Sequence, residues 1–311
     1  MRGQFYLTIL GSNSATPAYG RFPTSQVLTL NDHTFLIDCG EGSQIRMGEY
    51  KIKRNKISHI FISHMHGDHI FGLPGLITSL TLNSRKEPLT IYGPKGIKAF
   101  LDAVISMSYS HLSFDLIINE IETDKKISIL AFEDVEIFAF PVFHRIPTYG
   151  YLFEEKAGPR NILKSAIHKY SLSVDQIKSI KAGNDLDFDG KTIPNEEITK
   201  ESLKPQSYAY CADSRADDRI IESVKGVSAM YFETTYLDDL RDQASERGHA
   251  TSKQAAELAL KANVNALITG HYSSRYKDVQ PILDEAKSVF PNVYLGYDGM
   301  MLDIRNLDQS K

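Results

Sequence analysis

The stretch FISHMHGDHIFGLPGL, residues 61–76, sets His64, His66, Asp68 and His69 within six positions, directly after an apolar run and directly before an apolar segment containing Gly72 and Pro74. No other feature constrains the fold as tightly. The run IFIS reads as a strand, so the four polar side chains fall on the turn after it, where alternate residues converge without a helix to project them. Imidazole suits Zn2+, and a carboxylate ligates or bridges. Three histidines crowded on a turn repel one another when protonated and cost desolvation when buried unpaired, so a bound metal leaves least unexplained. Four donors exceed what one tetrahedral ion takes easily from one loop. Either two metals are held, or some of the four do other work.

Further donors have to come from the rest of the chain. The candidates are polar residues at the ends of apolar strands: His144 after VEIFAFPVF, Asp213 after SYAYCA and His271 after ALITG. A strand end holds a side chain rigidly at the sheet edge. His33, His59, His111 and His168 fall in turn, mid-strand or helical contexts and read as structural or surface residues. Asp38 precedes a tight turn marked by Gly40 and Gly42, and reads as a buttress of the histidine loop rather than a ligand.

Short apolar runs with β character recur at residues 5–10, 25–30, 34–38, 57–63, 89–93, 135–142, 207–213, 229–234, 266–271 and 292–299. Several are apolar at consecutive positions, as expected of strands covered on both faces. Helical periodicity appears at 96–110, 252–262 and 280–290. Thr251 with Gln254 three residues on predicts a capping box at the start of the second of these. Strands and helices alternate too irregularly for one doubly wound sheet, which favours sheets packed together with helices outside. One domain is the default reading for 311 residues.

The opening residues MRGQFYLTILGSNSATP are too short in apolar length and too polar for a signal or membrane anchor, and no segment approaches 18 consecutive apolar residues. The expectation is a cytoplasmic protein with no membrane partner. Cys39 and Cys211 stand alone, suggesting reduced, buried thiols and no cysteine zinc ribbon. A formal charge of −4 argues against a generally basic surface but permits a local basic patch.

Residues 154–201 break the pattern: they are polar, with one plausible helix and no apolar stripe adequate to bury it. Within 156–183 six cations, Lys156, Arg160, Lys164, Lys169, Lys178 and Lys181, face the single acid Asp175. A long polar insertion is often functional. A second basic run, Lys51, Lys53, Arg54 and Lys56, leads into the strand before His64 and suggests phosphate contact beside the metals.

The H-x-H-x-D-H motif with its downstream His, Asp and His resembles the metallo-β-lactamase superfamily, which implies a four-layered αββα sandwich, an α/β fold holding one or two zinc ions at the sheet edges. LGSNSATPAYGRFPTSQVL, FLIDCGEGSQIRM, YFETTYLDDLRDQASERGHATSKQAAELA and LITGHYSSRY resemble, collinearly from Leu10 to about Tyr297, the ribonuclease Z family in its short bacterial form. That resemblance implies two Zn2+ per subunit, with Mn2+ an alternative. One ion would be held by His64, His66 and His144, the other by Asp68, His69 and His271, with Asp213 bridging. It implies Asp68 as general base, and Glu233 and His249 as proton-donating or ligand-supporting residues.

The substrate implied is precursor tRNA, cut after the discriminator base to leave a 3′-hydroxyl on the tRNA and a 5′-phosphate on the trailer. The insertion at 154–201 would be the arm that grips the tRNA, with Arg160, Lys164 and Lys169 among its contacts, and the enzyme would be a homodimer. Two other readings compete. A phosphodiesterase for cyclic nucleotides or other small diesters would need the same metals but no arm. A metal-retaining RNA-binding subunit without catalysis is disfavoured because all seven ligand positions are filled.

Overall fold

The computed structural model describes residues 3–307. Among them two seven-stranded sheets face each other. The first has the order Met301–Asp303, Phe5–Gly11, Ser25–Leu30, His33–Cys39, Ile57–Phe61, Leu89–Pro94, Leu116–Ile121. The second has the order Val293–Leu295, Leu267–Gly270, Ala229–Glu233, Ser207–Cys211, Thr148–Glu155, Val135–Val142, Ile127–Ala131.

Period-two alternation divides each strand between two cores. Phe5, Leu7, Ile9, Phe35, Ile37 and Phe61 of the first sheet pack against Tyr151, Phe153, Tyr208, Tyr210, Tyr231 and Ile268 of the second. The opposite faces meet helices. Leu36 and Ile60 lie under Leu73–Leu82 and Ile97–Met107, while Met230, Phe232 and Leu267 lie under Ser252–Lys261 and Gln280–Lys287. Each fully buried Phe or Ile contributes about 1.5–3 kcal/mol, so three such layers are ample to hold the sheet edges still. Helix, sheet, sheet, helix is the four-layered sandwich expected.

The predicted capping box is present: Thr251 Oγ1 accepts from Gln254 N, and the Gln254 side chain accepts from Thr251 N. Such a cap contributes about 1 kcal/mol. Strands Ser25–Leu30 and Val135–Val142 have the predicted bounds. The structure adds the strands Leu116–Ile121, Ile127–Ala131 and Thr148–Glu155 and the helix Leu73–Leu82 to those the pattern predicts. Among the described residues no helix is long and apolar enough to cross a membrane.

The insertion differs from its expected form. It holds two helices of comparable length, Lys164–Tyr170 and Val174–Lys181, a hairpin of Leu186–Phe188 with Lys191–Ile193, and a ladder of Asn161–Ile162 with Thr199–Lys200. These enclose a core of their own, with Ala166, Leu172, Ile180, Leu186 and Ile198 buried. The apolar residues are shared among short elements that fold onto each other, which is why no single stripe reveals them. Its basic character is also confined to the first half: after residue 184 come Asp185, Asp187, Asp189, Glu196, Glu197 and Glu201 against Lys191 and Lys200.

Candidate metal centre

Strand direction assembles the site. His33–Cys39 and Ile57–Phe61 are parallel, so Asp38 and His64 leave the first sheet at the same edge. Ser207–Cys211, Ala229–Glu233 and Leu267–Gly270 are parallel in the second sheet, and Asp213, Glu233 and His271 stand at or just beyond their carboxyl ends. Val135–Val142 is two antiparallel steps away from Ser207–Cys211 and therefore runs the same way, bringing His144 to that edge too. The histidine loop then folds back tightly. A Cβ on Gly72 would lie 2.2 Å from the Gly40 carbonyl oxygen, and one on Gly40 would lie 2.4 Å from that of Asp68, so only glycine lets the two turns pack.

The seven donors form two quartets that share Asp213. His64, His66, His144 and Asp213 make one; Asp68, His69, His271 and Asp213 make the other. Asp213 Oδ2 faces the first, 3.7 Å from His64 Nε2 and 4.0 Å from His144 Nε2. Its Oδ1 faces the second, 3.2 Å from His69 Nε2 and 3.0 Å from His271 Nε2. Asp68 Oδ2 is 3.5 Å from both of those nitrogens. His66 turns its Nδ1 inward, 3.0 Å from His64 Nε2. His33, His59, His111 and His168 join neither quartet.

Three atoms of the second quartet, His69 Nε2, His271 Nε2 and Asp213 Oδ1, are buried without a hydrogen-bond partner: close as they are, the ring N–H directions do not align on the carboxylate. Buried polar atoms rarely stay unpaired, and orphans converging on one point fit a cation. Electrostatics agree. Burial would push Asp213 up, yet His271, His69 and His64 hold it well below the usual carboxylate range. Burial would lower His69 and His271, but Asp213 and the neighbouring acids raise both, His271 to about 10. His64, with fewer acids near, is driven down by burial and by His69. The second quartet is therefore acidic enough to require positive charge. These His and Asp clusters are compatible with metal binding.

The outer atoms of the rings are held as well. Asp38, fully buried, accepts from His69 Nδ1 at 2.7 Å, from Ser63 N and Oγ at 2.7 and 2.8 Å, and from the Tyr210 hydroxyl at 2.5 Å. It buttresses the loop as expected and lies in neither quartet. His144 Nδ1 donates to the Gly248 carbonyl at 2.7 Å. Glu233, also fully buried, accepts from Ser214 N at 2.7 Å and from His249 Nδ1 at 2.8 Å. Burial opposes the charge on His249, but Glu233 outweighs it and raises the imidazole above its usual range.

A cleft of about 510 Å3 opens over the clusters, lined in part by His66, Asp68, Arg145, Asp213, Arg247 and His249. Neither arginine has a spacing in the sequence that marks it: Arg145 stands alone in a loop and Arg247 ends the helix Arg241–Arg247. Lys51, Lys53, Arg54 and Lys56, expected beside the site, are not among the residues that line this cleft, and Arg54 Nη1 donates to Gln44 Oε1 at 3.3 Å. These four cations precede the first residue of strand Ile57–Phe61, whereas His64 follows its last. At about 3.3 Å per residue the strand carries the two ends far apart. The Asn55 carbonyl accepts from Arg85, just before the start of the neighbouring parallel strand, at the edge opposite the clusters. In the arm, Arg160 Nε is bonded to Thr199 Oγ1 at 2.7 Å, Lys164 is exposed, and Lys169 lies over the Tyr170 ring at 4.8 Å.

Comparison with known proteins fits this geometry. A family model described as Anti-Pycsar protein Apyc1 matches residues 5–158. Ribonuclease Z of Parabacteroides distasonis is 39% identical over 301 residues, 96% of this chain and 99% of that protein. Ribonuclease Z of Cytophaga hutchinsonii is 41% identical over 297 residues, 95% of each chain. Among solved structures, human tRNase Z, short form, superposes with a TM-score of 0.72 and 25% identity, covering 96% of this chain and 99% of that one. A metallo-beta-lactamase fold protein from Bacillus subtilis gives 0.69 at 18% identity over 97% and 99%, a likeness of fold. Near-complete relatives at this identity place the chain in the ribonuclease Z family.

Proposed function

We propose that the protein is a dinuclear zinc endoribonuclease that removes the 3′ trailer from precursor tRNA, cutting after the discriminator base. The observation that carries this reading is the pair of quartets joined through Asp213, in a chain similar over its whole length to ribonuclease Z proteins. His64, His66 and His144 would hold one ion, Asp68, His69 and His271 the other, with Asp213 between them. Zinc bound there supplies Lewis-acid polarisation of the phosphate and lowers the pKa of water. Mn2+ suits the same donors.

The chain's own residues do the rest. Asp68, at the cleft floor, accepts the proton of the attacking water. His249 lines the cleft, and its raised proton affinity keeps it a donor for the leaving 3′-oxygen of the tRNA. Glu233 has no exposed surface, so it orients His249 rather than meeting substrate. Arg145 and Arg247 line the cleft, where they would meet phosphates near the scissile bond. The arm at 154–201 grips the tRNA at a distance, its exposed Lys164, Lys169, Lys178 and Lys181 carrying the charge. The protein acts as a cytoplasmic homodimer, which sedimentation tests.

A cleft of about 510 Å3 is also the size that takes small ligands, so hydrolysis of a small diester is the second reading. Incubating the protein with precursor tRNA and with bis(p-nitrophenyl) phosphate, each with and without chelator, separates the two. Chelator-sensitive release of a trailer with a 5′-phosphate supports the first. Turnover of the small diester alone supports the second.

A further inference from the structure

We propose that Thr235 is a positioning residue that fixes which ring nitrogen His271 offers to the second quartet, an inference that rests on the dinuclear reading above. Thr235 is buried and belongs to neither quartet. Its Oγ1 lies 2.5 Å from Glu233 Oε2 and 2.9 Å from His271 Nδ1. A carboxylate only accepts, so the hydroxyl proton of Thr235 is committed to Glu233. What the hydroxyl has left is acceptor capacity, and the hydrogen on that contact must therefore sit on His271 Nδ1. The lone pair of the neutral ring is then on Nε2. That is the atom without a partner, 3.0 Å from Asp213 Oδ1 and 3.5 Å from Asp68 Oδ2.

Four of the rings have a contact on the outer nitrogen, and His64 Nδ1 lies 3.0 Å from the Ser63 hydroxyl, which donates to Asp38. His69 is held by the carboxylate of Asp38 and His144 by the carbonyl of Gly248. His271, like His64, depends on a hydroxyl that is itself locked by a buried acid. It follows directly on strand Leu267–Gly270 with a φ of 60°, beyond the ladder that would otherwise steady it. The β-branched threonine limits the rotamers through which the hydroxyl swings, which serine does less well.

The test is zinc titration by calorimetry on the wild type, Thr235→Val, which keeps shape and loses the hydroxyl, and Thr235→Ser. Outer-sphere partners of metal-binding histidines are worth about 10- to 100-fold in affinity. The expected result is two sites in the wild type, one of them weakened by about that factor in Thr235→Val and the other unchanged, with most of the loss recovered in Thr235→Ser. A long-range 1H–15N spectrum of the zinc-loaded wild type should show His271 protonated on Nδ1, and it decides the matter if Thr235→Val does not fold. Two wild-type affinities in a folded Thr235→Val, or His271 protonated on Nε2, would overturn the proposal. A wild type that binds no zinc would instead overturn the dinuclear reading.

Discussion

The proposed metal centre and the arm are both carried at the ends of strands, yet they are built on opposite terms. The centre is made of buried or half-buried side chains, and four of its rings have the outer nitrogen tied to a fixed partner: His64 to Ser63, His69 to Asp38, His144 to Gly248 and His271 to Thr235. The arm buries five apolar residues in a core of its own and leaves Lys164, Lys169, Lys178 and Lys181 exposed, Lys169 over a neighbouring ring. Chemistry that needs donors within a fraction of an ångström is placed where three packed layers prevent movement. Recognition of a large polyanion, which works through charge over a surface, is placed where packing is thin.

The comparison breaks most visibly at Asp213. Asp213→Ala should lose both ions and reduce trailer cleavage by at least about 10^3-fold, because the shared carboxylate has no substitute in either quartet; metal analysis of the purified variant checks it. Removing the arm should act on substrate alone. Glu155 N donates to the Gln206 carbonyl at 3.0 Å, so a short Gly-Ser turn can replace residues 157–204 without disturbing the sheet. Precursor tRNA affinity should fall by 10-fold or more, as an estimate from the loss of several phosphate contacts, while zinc content and small-diester turnover stay at wild-type levels. Because the arm core runs from Ile162 to Ile198, excising only the basic half would unfold the remainder.

Smaller effects sharpen the contrast. Arg145→Ala with Arg247→Ala should each lower the salt dependence of tRNA binding by about one counterion, whereas Lys53→Ala and Lys56→Ala, at the far sheet edge, should leave cleavage unchanged. Within the arm, Asn195 donates from its amide to the Ile180 and Asn184 carbonyls. Asn195→Ala should weaken the arm by about 1–3 kcal/mol, raising amide exchange there and nowhere in the sheets. One further effect lies far from both regions. Burial, with help from His33 and Arg85, pushes His59 down to about 4. The unfolded chain therefore takes up this proton first, near pH 6.5, and stability falls as pH drops from there to about 4. His59→Gln should flatten that limb of the pH–stability curve.

Much of the centre was legible in the chain because its parts announce themselves. Four donors in six residues are too dense for a surface loop, and His144, Asp213 and His271 each end an apolar run. Thr235, Arg145 and Arg247 have no such mark; only the folded edge brings them to the cleft. The Lys51–Lys56 run is adjacent to His64 in sequence, but the strand Ile57–Phe61 separates its backbone from the histidine loop. In the fold, continuous apolar strands were readable, whereas Thr148–Glu155 was hidden by Gly150, whose hydrogen is all that fits beside the Phe140 ring. Leu73–Leu82 was hidden by its Pro74 and Gly75 and by β-formers that packing turns into a helix. The arm's core was unreadable because no one of its short elements supplies enough apolar surface alone.

The central claim is that Asp213 joins two separate quartets into one dinuclear centre. Anomalous diffraction at the zinc edge from crystals of the zinc-loaded protein tests it directly. Two peaks should appear, one among His64, His66 and His144 and one among Asp68, His69 and His271, with an Asp213 oxygen on each. A single peak, or two peaks with Asp213 bound to only one, would contradict the account.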